Sequence, residues 1–104
     1  MAYKVVMTED AERDFDGFLN YLVNVKMNPQ AASHLIDSFE NTKNRLADVA
    51  GSLKPCENKK LRKLGYHRIN FEEMDYFFLY RIESNMAIVD NMFHFLQDYE
   101  NKMH

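Results

Sequence analysis

Four groups of side chains in this sequence could do chemistry or hold a charged partner. Lys59, Lys60, Arg62 and Lys63 form a basic run that also takes in Lys54 and Arg68, opposed between residues 54 and 68 only by Glu57. Such a run can neutralise phosphate or dock an acidic segment of another protein. His94 and Tyr99 stand near the C-terminus, where an imidazole and a phenol can pass protons if the tail folds back on the body of the chain. The simpler reading makes His94 a strand residue bonded to backbone and Tyr99 a packing aromatic. Arg81 has Glu83 and Asp90 as prospective carboxylate partners, and an arginine on a sheet face usually pairs or reaches a ligand. Cys56 is the only cysteine, so neither an internal disulfide nor a cysteine-based zinc cage can form; it reads as a bystander. No P-loop, nucleotide fingerprint or His-Glu-x-x-His motif occurs, and we expect no metal and no cofactor.

The frame that must position these groups is small. With 104 residues, a hydrophobic fraction of 46% and 14 aromatics, the sequence predicts one domain, 1–104, able to close a core. The formal charge of −3 argues against a generic nucleic-acid coat, and it hides an asymmetry. Acid concentrates at Glu9, Asp10, Glu12, Asp14 and Asp16, leaving the 54–68 run locally basic. No apolar run approaches the ~20 residues of a membrane span, and the N-terminus lacks the pattern of a secretory leader. A cytoplasmic location without membrane contact is the expectation.

Periodicity predicts the elements. Tyr3–Met7 is a short β-branched run that reads as a strand, and Thr8 can cap a helix with Glu9 and Asp10 in its first turn. Ala11, Phe15, Phe18, Leu19, Leu22 and Val25 make one apolar stripe of a helix reaching about Val25. Asn28-Pro29 opens a second helix, whose stripe is Ala32, Leu35, Ile36, Phe39, Leu46 and Val49 and whose stop is Gly51. Residues 51–65 read as a loop with room for a short helical turn. Strands follow at 66–71, 76–82 and 87–95, joined by links short enough for hairpins. The middle one, YFFLYRI, is apolar on both faces and belongs inside a sheet. Residues 97–103 read as one helical turn or a frayed end. The predicted fold is α+β, in the order β-α-α-β-β-β, with a mostly antiparallel four-stranded sheet backed by a helical hairpin.

Three stretches, AYKVVMTEDAERDFDGFLNYL, NPQAA and GYHRINFEEMDYFFLYRIESNMAIVDNMFHFLQDYEN, taken in order, resemble the RelE/ParE family of bacterial type II toxin–antitoxin toxins, often called plasmid stabilisation proteins. The resemblance covers nearly the whole chain and implies a growth-inhibiting toxin of the bacterial stress response, neutralised by a cognate antitoxin. Assembly with that antitoxin as a hetero-oligomer would follow.

One branch of the family cleaves messenger RNA in the ribosome without a metal; the ParE-like branch acts on DNA gyrase. For cleavage the resemblance implies a set comprising His67, Arg68, His94 and Tyr99. Of the family's usual cations, the central-strand position falls near Phe77 and the post-strand position on Leu96 or Gln97, so two places lack charge. That favours gyrase binding, with Lys59, Lys60, Arg62, Lys63 and Arg81 facing the target. Ribosome-dependent endoribonuclease activity is the alternative, and a degenerate toxin that only binds antitoxin is a third. An open apolar face at Phe77, Leu79, Phe93 and Phe95 is expected to receive the antitoxin.

Overall fold

A computed structural model describes residues 2–97 and Tyr99. Strand β1 (Lys4–Met7) leads into helix α1 (Glu9–Asn20), which is capped as expected: the Ala11 amide donates to Thr8 Oγ1 at 3.2 Å. The apolar stripe outlasts the α-helix. From Tyr21 to Val25 the backbone widens into a π turn, in which the Lys26 amide donates to Tyr21 O. Val25, assigned to the buried stripe above, is turned into solvent there, and Ile36 on the next helix is also exposed.

Helix α2 (Pro29–Val49) starts at Asn28, whose Oδ1 accepts from the Ala31 amide at 3.1 Å. It ends in a 3-10 turn, Ala50–Ser52. A side chain at Gly51 would meet the Tyr3 hydroxyl, so this stop takes a larger residue only if the Tyr3 ring shifts.

Strands β2 (Tyr66–Asn70), β3 (Tyr76–Glu83) and β4 (Met86–His94) follow. The sheet order is β1-β4-β3-β2, with β1 parallel to β4 and the other two pairings antiparallel. YFFLYRI is therefore an inner strand, as its two apolar faces require. Opposite Leu79 and Tyr80 the register skips Asp90, which bulges out of β4.

Both faces of the sheet are covered. On one, Ile69, Phe78, Tyr80, Ala87, Val89 and Met92 pack against α1 and α2. Phe39 of α2 meets Phe15 of α1 in a stack and Phe78 of β3 edge-on. On the other, Phe77, Leu79 and Phe93 form a second, smaller core with Cys56 and Leu61. The segment that supplies those two is the one expected to be a loop with room for a short helical turn. It carries a short helix, α3 (Lys59–Lys63), capped by Asn58 and tied to β2 by the Cys56 amide donating to Tyr66 O. Gly65, at φ +85°, turns the chain out of α3 into β2.

This corrects the expectation of an open apolar face. Phe77 (1% exposed), Leu79 (0%) and Phe93 (5%) are already buried by the chain itself, and only Phe95, 42% exposed, remains open. No described helix is long and apolar enough to cross a membrane. The expected turn or frayed end at 97–103 lies, apart from Gln97 and Tyr99, outside the described residues.

Candidate partner-binding face

The second core is the floor of a cationic surface. In α3, Leu61 is the one buried residue, and its burial leaves Lys59, Lys60, Arg62 and Lys63 in solvent on the helix's other sides. None of these four makes an ion pair with a described residue. A five-residue helix is not stable alone. The basic run is held in place by Leu61, the Asn58 cap and the tie to Tyr66.

Arg68, on β2, projects onto the same face. Its guanidinium carbon sits 3.8 Å from the centre of the Phe77 ring, 5.2 Å from that of Phe95 and 5.8 Å from that of Tyr99. Arg68 Nε donates to Asn70 Oδ1 at 2.8 Å. A cation stacked on a desolvated ring gains about 0.5–2 kcal/mol and loses rotational freedom in advance. Tyr99 packs by its ring against Phe77 and Phe93, in the packing role the sequence made its simpler alternative.

Further along the sheet, Arg81 is committed to structure. Its Nε donates to Asp90 Oδ2 at 2.8 Å, and Nη1 reaches Glu83 at 3.0 Å. Both partners were anticipated. The bulge that displaces Asp90 aims its carboxylate at Arg81 and also at the Tyr66 hydroxyl, 2.8 Å away. Burial, with Asp90 close by, pushes the Tyr66 hydroxyl above the usual tyrosine range. The hydrogen bond that Arg81 donates to Asp90 likewise raises Arg81 further, so its charge is permanent.

The four residues implied for RNA cleavage are not brought together. Arg68 and Tyr99 lie on the face just described. His67 lies on the helix face, stacked on Tyr80, with Nδ1 donating to Leu53 O at 3.0 Å. A carbonyl can only accept, so that nitrogen must carry the proton. His94 meets Tyr76, again on the helix face, and its Nδ1 accepts from the Leu96 amide at 3.1 Å. Its imidazole thus closes the turn after β4, the backbone-bonded role the sequence offered. The two histidines pair with Tyr80 and Tyr76, four residues apart on β3, so about 13 Å of strand separates them. A general acid and base must each come within about 3 Å of the atoms they serve. Among the described residues no group of three or more His, Cys, Asp or Glu side chains is arranged to hold a metal ion.

Two features escaped the sequence reading. Asp14, taken above as one charge in an acidic cluster, accepts from the Met92 amide at 3.0 Å and from Asn91 Nδ2 at 3.2 Å, fastening α1 to β4. Beside that junction runs an open groove of ≈ 960 Å³ between α1, the π turn and the end of β4, with Phe18, Tyr21, Leu22, Tyr76, Phe93 and Leu96 among its lining. Leu96 is 90% exposed. The apolar stripe running past Asn20 into a non-α turn is the only sequence signal that pointed there.

Comparison with known proteins agrees with this architecture. A chain from the chromosomal ParDE toxin–antitoxin system of P. aeruginosa superposes with a TM-score of 0.72 at 18% identity, over 89% of this chain and 96% of that one. A chain of the RelBE2 toxin–antitoxin complex from Mycobacterium tuberculosis gives 0.58 at 20% identity, over 90% and 99%. At such identities the likeness is one of fold. No curated protein matches the sequence. The family model for the ParE toxin of the parDE type II toxin–antitoxin system matches residues 5–97, and the chain belongs to that toxin family.

Proposed function

We propose that this toxin arrests growth by binding DNA gyrase, as an inhibitor rather than an enzyme, and that a cognate antitoxin neutralises it by direct binding in the cytoplasm. The observation that carries the reading is the fate of the central-strand position. Phe77 is an apolar ring buried beneath Arg68, so the central strand itself contributes no cation at that position. The candidate proton carriers, meanwhile, stand on opposite faces of the sheet. A surface so arranged suits recognition. The four α3 cations, Arg68 and Phe95 offer charge beside an exposed ring. The groove ending at Leu96 offers apolar contact of the kind that partner segments occupy. The antitoxin half of the proposal draws on the two structural neighbours, both described as parts of toxin–antitoxin systems.

The test runs antitoxin-free protein in two parallel assays: supercoiling by purified gyrase, and cell-free translation primed with finished messenger RNA. Loss of supercoiling with intact RNA is the expected result, and His94→Ala should inhibit as well as the parent. Ribosome-dependent cuts in the RNA would overturn the proposal in favour of the endoribonuclease. No effect in either assay would leave only the antitoxin-binding role.

A further inference from the structure

Arg68 is held unlike an ordinary surface arginine. Asn70 occupies Nε, and the guanidinium carbon sits 3.8 Å from the centre of the Phe77 ring. Together the two contacts restrain the direction of the group, while the two Nη atoms meet no acceptor among the described residues. Two parallel N–H groups of that kind match the two oxygens of a carboxylate. Phe95, 42% exposed, flanks the guanidinium and offers an apolar wall to whatever the fork holds. Because α3 rests on the same small core through Leu61, its four cations, none of them in an ion pair with a described residue, raise the positive potential over this whole face.

We propose that Arg68 is a preformed receptor for a side-chain carboxylate on an acidic peptide segment of a protein partner, the flanking apolar residue of that segment packing on Phe95. This rests on the partner-binding part of the function proposed above and not on the identity of the target. A peptide fits better than a nucleic acid for two reasons. Stacking of successive bases needs several free aromatic faces, but the Phe77 face is taken by Arg68 itself and Tyr99 packs on Phe77 and Phe93, which leaves Phe95 as a single exposed ring. The chain as a whole is also acidic, at −3, so an extended polyanion would run off the basic face into repulsion, whereas a short acidic segment would not.

The experiment titrates the full chain with three probes. They are a capped six-residue peptide alternating glutamate and leucine, its glutamine–leucine counterpart, and a six-nucleotide thymidine oligomer. Binding is followed by the Arg68 Nε–H resonance in the unaltered protein, which needs no variant to fold. The glutamate peptide should shift that resonance saturably and the glutamine peptide should not. Arg68→Lys, which keeps the charge and loses the fork, should weaken the glutamate peptide about tenfold, with a thermal melt confirming that the variant is folded. Equal binding by folded Arg68→Lys, a resonance unmoved by the glutamate peptide, or a preference for the oligomer would each overturn the proposal. No gyrase is present, so failure here and failure of gyrase inhibition are read separately.

Discussion

Replacing Phe77 with arginine would restore, on paper, the cation that a messenger-RNA-cleaving toxin places early in its central strand. The structure predicts that Phe77→Arg unfolds the protein instead. Phe77 is 1% exposed and touches the rings of Phe93 and Tyr99 as well as the Arg68 guanidinium. A buried phenylalanine removes about 150–250 Å² from water, worth about 4–6 kcal/mol at ~25 cal/mol per Å². The new guanidinium would start from the backbone position beneath Arg68. Two like charges at ~4 Å repel by about 4 kcal/mol even at an effective dielectric constant of ~20. Together these losses rival the whole stability of a domain this size, about 5–15 kcal/mol. Phe77→Leu, by contrast, loses about 1–2 kcal/mol of packing and about 0.5–2 kcal/mol of the Arg68 stack. Urea denaturation of the parent and both variants decides the matter. With a slope of about 1–3 kcal/mol per molar urea, Phe77→Leu should melt cooperatively at a lower midpoint, and Phe77→Arg should show no folded baseline. A Phe77→Arg protein that stays folded within about 2 kcal/mol of the parent would refute the reasoning. It would show that this face of the sheet is loosely covered and could accommodate a phosphate-binding cation.

Two further outcomes follow from the titratable groups. Asp90→Asn keeps the shape of the side chain but removes the charge that orders Arg81 and Tyr66; with Arg81 still joined to Glu83 and partly solvated, the loss should be about 1–2 kcal/mol. A change in urea midpoint too small to resolve would mean that the bulge holds itself without the charge. Burial raises the pKa of Tyr80 and of Tyr76, and burial with Asp90 that of Tyr66, so the folded protein keeps phenolic protons that the unfolded chain releases near pH 10. Their contribution is complete below pH 10 and drains away above it, at about 1.4 kcal/mol per pH unit for each group still protonated in the fold. Tyr80→Phe, which forfeits the 2.8 Å bond to Ala50 O, should be the less stable protein at pH 9 and recover ground on the parent by pH 11. Parallel curves for the two would exclude Tyr80 as a source of the alkaline loss.

What the sequence told and withheld follows physical lines. Caps are local, so Thr8 and Asn28 were legible from the residue and its next few neighbours. Strand period is local too, and YFFLYRI could be placed inside the sheet because both its faces are apolar. Arg81 found both expected carboxylates because short hairpins leave few alternatives. Period, however, says only that a face is apolar, never what covers it. The cover for Phe77 and Leu79 comes from Cys56 and Leu61 in a segment rich in Gly, Pro and Lys, where a single buried leucine carries no repeating signal. The same limit hid Asp14. Its two bonds reach 77 and 78 residues along the chain, and nothing near it distinguishes it from the acids that merely face water. His67 and Arg68 are adjacent, and strand alternation alone sends them to opposite faces, which suffices to break up the cleavage set.

The two faces of the sheet carry unequal loads, and that inequality bears on function. The helix face holds the larger core and two long helices, so it sets global stability. The opposite face holds five buried residues under a five-residue helix, and every basic candidate except Arg81 depends on that thin layer for its position. A layer with so few apolar contacts opens at lower free energy than the body it rests on. Loosening it would scatter the α3 cations and unstack Arg68 while β1, α1, α2 and the sheet remained folded. Leu61 is the residue at which fold and recognition meet: truncating it strips the one apolar anchor of α3. Recognition should therefore fail well before the global unfolding transition does.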